Sequence, residues 1–183
     1  DGFLTDVDAS LLNVGLQAAR GADIDFRYDK SFERFDFTID GTIARLVEQR
    51  TQLFDDEWDS VGNWGHPKWN GDVDLRIDYK NWTLNWRTRF VGKSAEKPVF
   101  DPDTTTLDRP VSTKTEWYHT LTVRYEPANW GILTSLRNVF DNQPPLVADG
   151  VPRDATSRIF NTLPGVGYDL LGRTLVMQVY RSF

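Results

Sequence analysis

The side chains best suited to chemistry cluster between positions 55 and 69. Four carboxylates there could bind a hard cation, which takes several oxygen ligands: Asp55, Asp56, Glu57 and Asp59. Their spacing fits no cation-binding loop such as the EF-hand, and solvated loop charge is the alternative interpretation. We therefore predict no metal site and no cofactor, and we keep Asp55 and Asp56 as candidates for contact with a bound solute.

Aromatic and histidine side chains occupy the same stretch. Trp58, Trp64 and Trp69 could stack on a sugar or an aromatic ligand, and packing within a loop is the alternative. His66 lies far from His119 in sequence, and the chain has no His-Glu-x-x-His zinc motif. Trp58, Trp64 and His66 are therefore candidate solute-binding residues and not predicted metal ligands.

No pattern in the chain predicts catalysis. The sequence has no cysteine, which excludes a disulfide or a thiol nucleophile within it. It contains neither a glycine-rich phosphate loop nor a nucleophile elbow. The net charge of -6 argues against nucleic acid as a partner, because neutralising phosphates needs clustered lysine and arginine. We expect a protein that is not an enzyme.

The elements that must position these side chains are β-strands. Apolar and polar residues alternate with a period of two in most of seven segments: 16–28, 35–49, 71–79, 82–91, 117–125, 130–140 and 171–183. The clearest hairpin joins the third and fourth segments through a tight turn at Lys80 and Asn81. Arg87 and Arg89 lie on the polar face of that hairpin, where they are the last two candidates for solute contact.

The connections between these segments alternate between short and long. Short turns follow the first, third and fifth segments, and long loops are predicted at 50–68, 92–114 and 141–171. Outer-membrane β-barrels have short periplasmic turns, long outer loops and aromatic residues at the strand ends, as here. No apolar run approaches the ~20 residues of a membrane-spanning helix. A membrane protein with this sequence would have to cross the bilayer with strands.

The last segment ends on an aromatic residue. Leu175, Met177, Val179 and Phe183 share one parity, and the other parity is mostly polar. Taken alone, the segment fits the closing strand of an outer-membrane barrel or the last strand of a soluble sandwich. When this strand descends to a periplasmic C-terminus, every long connection falls on the outer side, which favours the barrel.

Three motifs resemble those of TonB-dependent outer-membrane receptors. The first, at 138–145, matches their Asn-hydrophobic-Phe-Asp-x-x-Pro-Pro stretch, and the second, at 168–173, their Tyr-Asp-x-x-Gly-Arg before the last strand. The third, at 65–71, is similar to one of their loop-to-strand entries. The residues concerned are Asn138, Val139, Phe140, Asp141, Asn142, Gln143, Pro144 and Pro145; Tyr168, Asp169, Leu170, Leu171, Gly172 and Arg173; and Gly65, His66, Pro67, Lys68, Trp69, Asn70 and Gly71.

The resemblance implies an all-β fold, a transmembrane antiparallel β-barrel of about 22 strands with a plugged lumen. Residues 1–183 would supply the last seven strands. The remaining barrel strands and the plug would then lie outside this chain, and we expect them on a second chain from the same precursor. Further expected partners are the TonB complex, reached through the plug; outer-membrane lipid; and the barrel-assembly machinery, reached through the strand that ends at Phe183.

The implied function is active transport across the outer membrane. Such a receptor binds a scarce solute (a metal chelate, a vitamin or an oligosaccharide) and imports it with energy from the TonB system. The outer loops would carry the specificity, and the C-terminus would be periplasmic. The alternatives are a soluble all-β carbohydrate-binding module and a passive porin or adhesin barrel. Residues predicted to face lipid are Val73, Leu75, Ile77, Leu84, Trp86, Leu121 and Val123, and those predicted to face the lumen are Asp74, Arg76, Arg87 and Arg124.

Overall fold

The computed structural model describes residues 15–54, 56–95, 112–146, 162 and 165–181. Within these ranges the chain forms one antiparallel sheet of eight strands and no helix. The described residues therefore contain no helix that is long and apolar enough to cross a bilayer. The strands are β1 (Gly15–Ser31), β2 (Asp36–Leu53), β3 (Asp56–Asp59), β4 (Trp69–Tyr79), β5 (Trp82–Val91), β6 (Glu116–Tyr125), β7 (Trp130–Arg137) and β8 (Thr174–Arg181).

Seven of the strands form a meander in chain order, and β3 pairs beside it with the end of β2. All seven predicted strands are present. The connections at 32–35, 80–81 and 126–129 lie at one edge, which we call the short-turn edge. The chain leaves the other edge, the long-loop edge, after β2, β5 and β7, which confirms the predicted alternation of the connections. Within the described residues the sheet is open, since β1 pairs only with β2 and β8 only with β7.

The prediction that 50–68 is a loop without strand structure is wrong in its first half. Strand β2 continues to Leu53, and after Phe54 the chain returns as β3. Asp-Glu-Trp-Asp is a poor strand sequence by composition. It pairs nevertheless with Arg50 to Leu53. A diagonal ion pair adds a little to this pairing, with Arg50 Nε and Glu57 Oε1 2.9 Å apart.

Three further strand boundaries differ from the predictions. The first segment, predicted to end at 28, continues to Ser31. The sixth segment, predicted to run to residue 140, ends at Arg137 because Asn138 adopts a positive φ of 49°. The seventh, predicted from 171, begins at Thr174. Asp55, Phe183, residues 1–13 and most of the predicted loops 92–114 and 141–171 lie outside the described residues.

The cross-strand register places the apolar side chains of neighbouring strands on one face. Leu75 pairs with Trp86, which pairs with Leu121, and that row continues through Leu136 to Leu175. All seven residues predicted to face lipid lie on this apolar face. Because neighbours in a row stand directly beside each other, the face is continuous across the sheet.

Aromatic side chains border the apolar face at both edges. At the short-turn edge, the rings of Trp82 and Tyr125 lie 4.4 Å apart, and Tyr125 meets Trp130 at 5.8 Å. At the long-loop edge, Phe90 lies 5.0 Å from Trp117. Trp82, Trp117 and Trp130 are 40–48% exposed, and Phe90 and Tyr125 are half-buried, so the border is a partly exposed feature of the apolar face.

The opposite face carries ion pairs and hydroxyl hydrogen bonds. Arg87 Nη2 lies 3.0 Å from Asp72 Oδ2, and Arg87 Nε lies 3.6 Å from Asp74. Arg76 Nε donates to Asp78 Oδ2 at 2.7 Å, and the Thr83 hydroxyl donates to the same carboxylate. This polar face holds all four residues that were predicted to line a lumen.

Candidate functional site

A small core closes the polar face at the long-loop edge. We call it the rim core; it consists of Trp64, Val91, Tyr118 and Tyr168, with Val166 packed against it. Val91 is the last residue of β5 and Tyr118 lies near the start of β6, both on the polar face. Trp64 and Tyr168 come from the segments before β4 and before β8. Two long connections therefore fold inward over the sheet at this edge.

A pocket of about 410 Å³ lies beside the rim core on the polar face. Arg87 and Arg89 approach it from β5 and Arg137 from β7, on either side of the β6 residues Tyr118 and Thr120. The other lining residues are Ser135, Asn138 and Asp169. We call this the arginine pocket.

The arginine pocket is positively charged. Arg87 forms ion pairs with both Asp72 and Asp74. No carboxylate in the described residues lies within 4.0 Å of the Arg89 or Arg137 guanidinium, and Arg89 instead lies over the Tyr118 ring at 5.7 Å. Among the described lining residues, three guanidiniums face one carboxylate, Asp169. A fixed fork of N–H donors suits carboxylate or phosphate oxygens.

A buried hydroxyl at the pocket wall is weakly satisfied. Tyr118 is 4% exposed, and its hydroxyl interacts with the Asp169 backbone without a hydrogen bond of good geometry. Buried polar groups are normally hydrogen-bonded, because an unpaired one costs about 1–3 kcal/mol. The Asp169 backbone therefore supplies only part of the hydrogen bonding that this buried hydroxyl needs.

A hydrogen-bonded turn holds the end of β7 beside the pocket. The Asn138 side chain is buried; it donates to the Asn142 carbonyl and accepts from the Asn142 amide, each at 3.0 Å. Asn142 Nδ2 donates to the Trp117 carbonyl at 2.7 Å, and the Arg173 amide donates to Asp141 at 2.8 Å. We call this turn the clasp; it ties β6, β7 and the entry to β8 together.

The seven sequence-predicted site residues do not converge on one site. Only Arg87 and Arg89 line a common pocket. Asp56 is exposed and Trp58 half-buried in the β2–β3 hairpin, and Asp55 lies outside the described residues. No three His, Asp or Glu side chains in the described ranges are placed to hold a metal ion.

Trp64 and His66 belong to the folded segment before β4. Trp64 is 1% exposed in the rim core, so its ring has no face open to a ligand, and packing describes it better than stacking on a sugar. The His66 amide donates to the Asn63 carbonyl, and its own carbonyl accepts from the Gly62 amide. The backbone of His66 thus stabilises a turn in the segment before β4.

The sequence interpretation missed Arg137, Tyr118 and Asn138. Arg137 lies at the end of the least regular predicted strand, where alternation gives little information about the face. Tyr118 follows the regular period of β6, but its burial depends on segments distant in sequence. Asn138 is the first residue of the motif at 138–145, and that motif was the sequence feature that could have identified it as a candidate.

Comparisons with protein-family models, with curated proteins and with solved structures found no match for this chain.

Proposed function

We propose that this chain is the C-terminal part of the barrel of a TonB-dependent outer-membrane receptor. The observation that carries the proposal is the pair of opposed faces, one continuous and apolar with aromatic borders, the other charged. In an outer-membrane barrel the first would contact lipid and the second the lumen. The motifs at 138–145 and 168–173 support the same family by resemblance.

The spacing of the aromatic borders supports a membrane placement. On β5, eight residue steps separate Trp82 from Phe90, and on β4 ten steps separate Tyr79 from Trp69. At ~3.3 Å per residue these are about 26 and 33 Å along the strands. A strand tilt of about 40° reduces them to about 20 and 25 Å, close to the ~25 Å apolar band of such barrels.

The proposed role is uptake of a scarce solute with energy from the TonB system. The arginine pocket lies on the face assigned to the lumen, near the edge assigned to the outside. It would contact a negatively charged group, either of the passing solute or of the plug. The rim core next to it would hold the outer segments in place during solute capture.

The remaining barrel strands are proposed partners. Strands β1 and β8 each have one unpaired edge within the described residues, and open sheet edges are not viable in lipid because each unsatisfied backbone group costs several kcal/mol. Strands from outside this chain would pair with both edges and close the barrel. The TonB complex would act through a plug that this chain does not contain.

Reconstitution of the purified full-length protein tests this function against its alternatives. The receptor should remain soluble only with detergent, and it should give no steady ion conductance in a planar bilayer because a plug fills the lumen. Solubility without detergent would contradict the proposal and favour the carbohydrate-binding module. Steady conductance would contradict it in favour of a passive porin.

A further inference from the structure

A second and larger pocket opens at the long-loop edge, on the other side of the sheet. Its volume is about 750 Å³. The apolar-face side chains Trp69, Phe90 and Trp117 line one part of it, and Lys68 and Lys93 line another. Its remaining lining residues are small or uncharged: Val61, Gly62, Gly92, Ser94, Ala95, Ser112, Thr113 and Thr115. We call it the rim pocket.

The rim pocket combines an apolar floor with unpaired positive charge. None of its lining residues in the described ranges is a carboxylate. In the described residues no carboxylate lies within 4.0 Å of the Lys68 or Lys93 ammonium group, although this chain is acidic overall. Arg45 lies nearby, with its guanidinium 5.1 Å from the Trp69 ring centre. The local charge is therefore positive where the aromatic border ends.

We propose that the rim pocket binds an anionic phosphorylated lipid of the outer leaflet. This inference rests on the proposed function, because the aromatic border must lie at the membrane surface. An acyl chain would pack on Trp69, Phe90 and Trp117, and the phosphate would accept hydrogen bonds from Lys68 and Lys93. Aromatic rings at the headgroup level with lysines beside them suit this amphiphile, since apolar burial and charge complementarity act together.

The geometry distinguishes this site from the arginine pocket. The rim pocket lies on the apolar face and takes its aromatic side chains from β4, β5 and β6, whereas the arginine pocket lies on the polar face. A water-soluble anion has no apolar surface to bury, so contact with an apolar floor would not favour its binding. A lipid reaches the rim pocket by lateral diffusion in the bilayer and needs no passage through the lumen.

Tryptophan quenching by brominated lipids tests the proposal. The full receptor is inserted into phosphatidylcholine vesicles that contain increasing fractions of a phosphatidic acid with brominated acyl chains. Bromine quenches the fluorescence of tryptophans that it touches. The difference in quenching between the unmodified protein and a Trp69→Phe, Trp117→Phe variant gives the contribution of the rim pocket. We expect phosphatidic acid to bind about thirtyfold more tightly than brominated phosphatidylcholine, given two lysines near the headgroup.

The double variant Lys68→Gln, Lys93→Gln should lose this preference, while Lys80→Gln at the short-turn edge should keep it as the matched control. Millimolar inorganic phosphate should not displace the lipid, because the acyl chain provides part of the affinity. Equal binding of the two lipids, a preference that survives the double variant, or displacement by inorganic phosphate would each overturn the inference. Failure of the protein to insert into the vesicles would overturn the proposed function, and this inference with it.

Discussion

At the residue scale, the two faces of β4 make opposite demands on a substitution. Leu75 stands between Ile39 and Trp86 on the apolar face, near the middle of its strand. Its neighbour Asp74 lies on the polar face, 3.6 Å from Arg87. If the apolar face contacts lipid, the two positions will differ sharply in their tolerance of charge.

We therefore predict that Leu75→Arg destabilises the folded protein by about 2–4 kcal/mol, because in the proposed placement a guanidinium would enter the hydrocarbon region. Asp74→Asn should cost less than about 1 kcal/mol, since it removes one partner of a half-exposed ion pair. Urea-dependent folding into lipid vesicles measures both variants. Equal tolerance of the two changes would be incompatible with a lipid-facing Leu75.

The clasp provides a second prediction at this scale. Asn138→Ala removes two hydrogen bonds from a side chain that is 1% exposed and leaves a non-glycine residue at positive φ. We expect a loss of about 1–3 kcal/mol in unfolding free energy, because the Asn142 amide and carbonyl lose their partner. Chemical denaturation measures it. Asn85→Ala, which removes no side-chain hydrogen bond described in the structure, is the control, and an equal effect there would remove the assigned role of the clasp.

At the element scale, the alternating pattern was sufficient to locate the seven strands of the meander. Period-two segments such as 71–79 and 82–91 agree with β4 and β5 to within two residues. The pattern could not predict β3, since its four residues, Asp-Glu-Trp-Asp, show no alternation of apolar and polar side chains. It also could not assemble the arginine pocket, because the burial of Tyr118 depends on Trp64 and Tyr168, which are far apart in sequence.

The two edges of the sheet support a topological prediction. If the long-loop edge faces outward, a cysteine at Asp56 in the exposed β2–β3 hairpin should react with a membrane-impermeant maleimide on intact cells. A cysteine at Asn81 in the short turn should react only after the outer membrane is permeabilised. Neither label competes with a native thiol of this chain, which has none. The reverse pattern would show that the orientation is inverted.

At the scale of the whole molecule, the edges of β1 and β8 that are open within the described residues predict further strands. Residues 1–183 in isolation should aggregate in detergent, because both edges would expose unpaired backbone groups. We expect the purified protein to contain those further strands, on the same polypeptide or on a second one. Denaturing electrophoresis with mass spectrometry would detect them. A monodisperse, folded 21.1 kDa species would contradict this prediction and support a soluble sandwich.

The central claim is that the apolar face of the sheet lies in lipid, and spin labelling along β4 tests it most directly. Single cysteines at successive positions from 72 to 78 would carry nitroxides in the full protein, reconstituted in a bilayer. We predict that accessibility to oxygen peaks at 73, 75 and 77, while accessibility to a water-soluble nickel chelate is higher at 74 and 76. Uniform accessibility to the nickel chelate at all these positions would contradict the membrane placement.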